Sequence, residues 1–255
     1  MSQIEIFLYI LVGIAAVILL PILFLTVCSL FVSRKKWYNR ESRFYRALLN
    51  GSTAVILWLL RVKVTVDGRE KLPTDSNYLF ISNHRSNFDP IVQWYALRPE
   101  RVSFVSKGEN FRIPIFGRLI RRCCFMEIDR KNPRNAMQTV NRAAALLRET
   151  ENCVGVYPEG TRSKSCVLLP FHSGVLKIAQ KAEKPLVISA VSGTESISRN
   201  IWRFKRTVVT MTVIEVLDAQ TVKGTKTAEL CDHAASLMER VLGVVETAEK
   251  TTKEK

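Results

Sequence analysis

His84 and Asp89, in the run Asn83-His84-Arg85-Ser86-Asn87-Phe88-Asp89-Pro90, are the residues of this chain whose types and spacing first suggest chemistry. On a regular helix, residues five apart do not share a face. In a loop entering a helix they can meet. Pro90 favours the first helical position, which makes Asp89 the expected N-cap. From there its carboxylate can accept a hydrogen bond from one imidazole nitrogen of His84. The other nitrogen is then free to take a proton from a hydroxyl, as a general base with an orienting partner does. The spacing alone is weak evidence, because a plain helix cap beside an unrelated loop histidine has the same signature.

A second run, Tyr157-Pro158-Glu159-Gly160-Thr161-Arg162-Ser163, is richer. Gly160 permits a tight turn and close approach of backbone to a ligand. Arg162 offers a planar, permanently charged fork suited to phosphate, and Thr161 and Ser163 add hydroxyls. Glu159 suits either a substrate hydroxyl or a basic partner that holds the loop. Lys107 and Arg130 are further cations that follow strand-like runs. Arg118, Arg121 and Arg122 cluster after Pro114 and read as a solvated basic face, and His172 reads as structural. The cysteines and the three histidines show no metal-ligand spacing. None of the six cysteines forms a CxxC pair, and Cys124 and Cys153 fall in strand-like runs as small buried hydrophobes.

These residues need elements to position them. Strand signals run over 62–66, 78–82, 102–105, 124–128, 153–157, 186–191 and 207–217. Helical periodicity marks residues 90–97, 135–149, 174–183 and 227–246. Alternating strands and helices imply an α/β fold with a mostly parallel sheet flanked by helices. In such a sheet the carboxyl ends of the strands share one edge, where ligands bind. His84, Lys107, Arg130, Glu159 and Arg162 all follow strands, so one crevice is expected to collect them.

Ahead of this body lies an N-terminal membrane-binding helical segment. Residues 6–32 carry no charge and are long enough to cross a bilayer. The absence of a basic n-region favours an uncleaved anchor over a signal peptide. Pro21 leaves a kinked or re-entrant helix open. Arg34, Lys35, Lys36 and Arg40, with Trp37 and Tyr38 among them, place the body on the cytoplasmic face, with the aromatic rings suited to the headgroup layer. Residues 44–60 read either as an interfacial helix or as a helix packed on the domain. The expected organisation is an anchor with interfacial helix over 1–61, an α/β domain over 62–248 and a charged, frayed tail over 249–255. A net charge of +15 suits an anionic partner, and the anchor favours an anionic membrane surface or phosphorylated substrate. The chain shows no aromatic-basic nucleic-acid module, so no nucleic-acid partner is expected.

Taken jointly, the runs resemble the 1-acylglycerol-3-phosphate acyltransferase family, also called lysophosphatidic acid acyltransferases. The resemblance covers residues 62–191. The family's Asn-His-x4-Asp fits Asn83, His84 and Asp89. A second block fits Lys107, Phe111, Pro114 and Gly117 through Ile128-Asp129-Arg130. A third fits Tyr157 to Ser163 throughout, and a loose fourth fits Pro185-Leu186-Val187-Ile188. Cys124 stands where the family often has glycine, and His172 where a basic residue is common. The resemblance implies transfer of a fatty acyl group to a lysophospholipid acceptor, with acyl-CoA or acyl-carrier protein as the acyl thioester donor and no cofactor or metal. It implies His84 and Asp89 as the catalytic pair, Arg162, Lys107 and Arg130 on the acceptor phosphate, and Glu159, Gly160 and Thr161 shaping the acceptor site. Glycerol 3-phosphate, another lysophospholipid or a lyso-aminolipid remain alternative acceptors. A non-catalytic basic membrane protein is the distant alternative.

Overall fold

The uncharged N-terminal run forms most of a single long helix, α1 (Gln3–Leu30), in the computed structural model, which describes residues 2–253. Ser2 and Glu5 close its first turn as a reciprocal capping box. The helix continues through Pro21. Its 28 residues span about 42 Å. It is long and apolar enough to cross a membrane, and nearly all its side chains lack protein cover. Only its last turns are held by the body. Arg118 Nη1 donates to the Ser29 carbonyl (3.0 Å), and the Tyr45 hydroxyl to that of Cys28 (2.9 Å).

Helix α2 (Arg43–Leu59) buries Arg46, Leu49, Thr53 and Leu57, a stripe at helical spacing. That stripe packs on α3 (Asp89–Ala96) and α4 (Phe116–Arg122). The opposite face, with Val55, Ile56, Trp58 and Leu59, is apolar and uncovered. The packed stripe bears out the reading of a helix held on the domain.

The strands are β1 (Val62–Asp67), β2 (Leu79–Ser82), β3 (Ser103–Lys107), β4 (Met126–Ile128), β5 (Val154–Val156), β6 (Leu186–Ser192) and β7 (Thr207–Leu217). They form one seven-stranded sheet in the order β1-β7-β6-β2-β5-β3-β4. Five neighbours, β6-β2-β5-β3-β4, run parallel. β7 runs antiparallel to β6 and parallel to β1, so this pair points the other way. Side chains alternate across the sheet. Leu79, Ile81, Val154, Val156, Leu186 and Ile188 join the core with α5 (Pro133–Glu149), α6 (Lys177–Ala182) and α9 (Thr227–Lys253). Tyr78, Phe80, Phe104, Val187, Met211 and Val213 pack with α2, α3 and α4. Burial on both faces explains why the parallel strands read as nearly continuous apolar runs. Short helices α7 (Ile197–Trp202) and α8 (Ala219–Gly224) complete the connections.

The structure corrects several local readings. Asp89 is the first residue of α3 rather than its N-cap, a position held by Phe88. Cys124 lies in a turn with φ +60°, and β4 begins only at Met126. The left-handed backbone there is the reason a glycine suits this position. Residues 174–183 divide into a 3-10 turn, Ser173–Leu176, and α6. The charged tail continues α9 to Lys253, and residues 254 and 255 lie outside those described.

The cluster of Arg118, Arg121 and Arg122 is not a solvated face. Arg121 is buried between the rings of Trp37 (4.4 Å) and Phe111 (4.7 Å). Arg142 lies 4.3 Å from the Trp37 ring, and Arg122 4.4 Å from that of Tyr38. Cation–π contact and desolvation here join the segment after α1 to α4 and α5. The rings of Trp37 and Tyr38 are engaged by these guanidinium groups, while Trp37 stays 36% exposed.

Candidate active site

β2 ends at Ser82 and delivers Asn83 into the central gap beside β6. The buried Asn83 side chain donates to the Val191 carbonyl (3.0 Å) and accepts from the Val191 N–H (2.8 Å). It extends the strand pairing by one side chain and fixes where His84 emerges. The His84 N–H donates to Glu159 Oε1 (2.6 Å), and its carbonyl accepts from the Ser163 N–H (2.8 Å). Its ring stacks on Tyr157 with centroids 4.3 Å apart. Both runs singled out in the sequence thus meet at one residue.

His84 Nδ1 lies 2.8 Å from Asp89 Oδ2. The same oxygen accepts the N–H groups of Arg85 and Ser86, each at 2.7 Å. Asp89 Oδ1 accepts from the Thr194 hydroxyl at 2.5 Å. Asp89 is fully buried, and its carboxylate accepts from the Arg85 and Ser86 N–H groups and the Thr194 hydroxyl. An acceptor-only carboxylate places the imidazole proton on Nδ1. The nitrogen left to meet a substrate is Nε2.

Glu159 is also buried, and its two oxygens hold the His84 N–H and the Leu169 N–H (3.0 Å). Burial pushes its carboxyl above the usual range, against the pull of the two N–H bonds. Its partners are backbone groups, neither a basic side chain nor open solvent. Gly160 has φ +68°, and a Cβ there would come within 2.8 Å of His172 Cδ2. His172 itself is exposed, while its N–H anchors the turn on the Pro158 carbonyl (2.8 Å).

One cleft of about 720 Å³ is lined by His84, Lys107, Arg130, Thr161 and Arg162. Its remaining wall is largely apolar, with Leu25 from α1, Ile56 from α2, and Phe104, Ile113 and Phe116. Asp89, Glu159 and Gly160 stand behind this lining. Lys107, Arg130 and Arg162 are exposed, and no carboxylate among the described residues lies within ion-pair distance of them. Glu109 feels two of them: its own backbone N–H, then Lys107, Arg112 and Arg130, hold its carboxyl below the usual range. The cleft joins an apolar wall, three cations and one tautomer-fixed histidine. Burial pushes the thiols of Cys123, Cys124 and Cys153 up to about 12, and no cysteine lines the cleft.

A family model described as Acyltransferase matches residues 63–215, more than half of the chain. The chain belongs to the acyltransferase family. A 1-acyl-sn-glycerol-3-phosphate acyltransferase of Limnanthes douglasii is 31% identical over 156 residues, 61% of this chain and 53% of that protein. The Escherichia coli (strain K12) protein of the same name is 30% identical over 172 residues, 66% of this chain and 69% of its own. The chain spans about half the length of the plant relatives it matches. The crystal structure of the 1-acyl-sn-glycerophosphate (LPA) acyltransferase PlsC from Thermotoga maritima superposes with a TM-score of 0.64. At 22% identity, covering 88% of this chain and 87% of that one, it shows the shared fold.

Sequence reasoning about this acyltransferase site missed three residues. Thr194 bonds Asp89 from 105 positions away. Gln93 accepts from the Tyr157 hydroxyl (2.6 Å) and donates to Ser82 Oγ (2.7 Å). Tyr157 opens the third block, but its stacking on His84 had no signal in the sequence beyond its place in that run. Burial, then the Asp89 charge, push its phenol well above the ordinary value, so it remains a neutral donor.

Proposed function

We propose that this acyltransferase moves a fatty acyl group from a thioester to the free sn-2 hydroxyl of 1-acylglycerol 3-phosphate, giving phosphatidic acid for phospholipid synthesis. The observation that carries the reading is the opening of His84, its tautomer set by Asp89, into the cleft lined by Lys107, Arg130 and Arg162. His84 Nε2 takes the acceptor hydroxyl proton as the oxygen attacks the thioester carbonyl. The C–O bond forms, the C–S bond breaks, and the thiolate departs. Asp89 stabilises the imidazolium that forms. A thiolate is already a good leaving group, so the scheme requires no metal. The high thiol pKa values favour direct transfer over an acyl-cysteine.

Arg162, Lys107 and Arg130 bind the acceptor phosphate, with Thr161 adding a hydroxyl. Glu159 and Gly160 shape this acceptor site from behind by setting the path of the loop. The apolar wall reaching Leu25 and Ile56 suits acyl chains arriving from a bilayer. The donor, acyl-CoA or acyl-carrier protein, comes from the cytosol, with α1 in the membrane and the body on its cytoplasmic face.

A panel of acceptors offered with one labelled acyl thioester tests the assignment. Lysophosphatidate is expected to be acylated fastest. Faster turnover of glycerol 3-phosphate, a phosphodiester lysophospholipid or a lyso-aminolipid would reassign the acceptor. Thioester turnover with none of them would remove the reading.

A further inference from the structure

The connection between β6 and β7 begins at the catalytic carboxylate, where Thr194 bonds Asp89, and ends in residues 202–206, Trp-Arg-Phe-Lys-Arg. Trp202 and Phe204 are 87% and 83% exposed, more than any other large apolar side chain among the described residues. Arg199, Arg203, Lys205 and Arg206 are exposed beside them, and no acidic residue occurs from 196 to 214. The segment is held rather than loose. Arg61 Nη1 donates to the Phe204 carbonyl (2.7 Å), and the Arg61 carbonyl accepts from the Thr207 N–H (3.2 Å). Arg61 lies two residues past α2, whose last residues include the exposed Trp58 and Leu59 and the cleft-lining Ile56.

Two rings without protein cover, set among cations and no acids, match the interfacial layer of an anionic bilayer. Charge alone would suit an acidic protein equally. The nearly complete exposure of an indole and a phenyl ring favours lipid, into which both can pass. The patch lies at the sheet edge that carries His84. The Arg61–Phe204 bond ties it to the end of α2.

We propose that residues 202–206 form a second membrane-contact site, with Trp202 and Phe204 in the interface and Arg203, Lys205 and Arg206 on anionic headgroups. A single anchoring helix leaves the body free to rotate. A second contact beside the catalytic edge holds the cleft mouth against the lipid surface.

The test uses the full chain reconstituted in vesicles of phosphatidylcholine and phosphatidylglycerol whose acyl chains carry bromine. The emission difference between the parent and Trp202→Phe reports Trp202 alone. It is expected to be quenched with phosphatidylglycerol present. Lys205→Glu is expected to weaken surface engagement by about five-fold per charge unit changed, and added salt should weaken it further. Trp202→Ala combined with Phe204→Ala should slow acylation of a vesicle-borne acceptor by roughly five- to ten-fold. The same double variant should leave a short-chain, water-soluble acceptor unaffected. Unquenched Trp202 emission overturns the proposal, as does equal slowing on both acceptor forms. A Trp202 response to an acidic carrier protein but not to vesicles would assign the surface to that protein instead. The quenching measurement needs no turnover, so it decides the proposal even if the acyltransferase reading fails.

Discussion

Two sets of buried acids sit at opposite edges of one sheet and are satisfied by opposite means. At the edge where β3 and β5 begin, the Glu41 side chain is 2% exposed and bonds the guanidinium groups of Arg46 and Arg101, with Asn152 Nδ2 at 3.0 Å. At the edge where the strands end, Asp89 is held by two backbone N–H groups, one hydroxyl and His84, and Glu159 by two backbone N–H groups. Permanent cations cancel the charge of Glu41 and leave a structural clamp that ties the start of α2 to the strands. Asp89 instead meets backbone N–H groups, a hydroxyl and an imidazole, with no Arg or Lys ion pair to it among the described residues. In the proposed transfer that carboxylate would stabilise the imidazolium formed on His84. The lesson is that the number of bonds to a buried carboxylate says little about its role, whereas the charge of its partners says much.

Substitutions at either edge separate the two roles. The largest effect on turnover is expected from Asp89→Asn, which keeps the shape but offers His84 the wrong partner atoms. The proposed transfer should fall by about 10³–10⁴-fold. A ten-fold fall or less would show that Asp89 only caps the loop. Glu41→Gln should act on stability instead. Leaving the Arg46 guanidinium buried and underpaired costs about 3–5 kcal/mol. That corresponds to a drop of roughly 10 °C in Tm, while the folded fraction should keep nearly normal kcat. A large kcat loss with unchanged Tm would reverse the roles assigned to the two edges.

Arg162→Ala removes a cation that no described carboxylate neutralises. Its KM for a phosphate-bearing acceptor should rise by about 10–100-fold. Equal loss on acceptors without phosphate would contradict its place on the phosphate. Glu159→Gln probes the smallest difference. An amide must turn its NH2 toward one of two N–H donors, at a cost of about 1–3 kcal/mol. The sign with pH follows from burial. The folded carboxyl titrates above its ordinary 4.5, so the parent loses stability as pH rises from about 4.5 through that raised value. Glutamine does not titrate, so the Tm gap between the two proteins should narrow with rising pH. A gap that widens would mean that the N–H bonds outweigh desolvation.

Much of the candidate site was legible because its residues are close in sequence or follow strands. His84 and Asp89 belong to one turn, and Tyr157 to Ser163 follow one strand. The parallel order of β6-β2-β5-β3-β4 then made the convergence of Lys107, Arg130 and Arg162 a consequence of strand direction. The reversal of β7 was not legible, because alternation reports exposure of a strand and not its direction. Long-range polar partners were equally hidden. Glu41 meets Arg101 and Asn152 from 60 and 111 positions away, and Thr194 reaches Asp89 from 105. Arg121 and Arg122 carry the same charge in solvent or over a ring, so only packing distinguished those states. Cys124 read as a strand residue because a thiol among apolar neighbours gives no sign of positive φ.

His84 is the proposed base. The most direct measurement of that role is transfer of a labelled acyl group from a thioester to lysophosphatidate by the full-length His84→Ala protein, with Tm recorded alongside. The fold should be unchanged and the rate lower by at least about 10²–10⁴-fold. Transfer at the parent rate by a folded His84→Ala protein would contradict it.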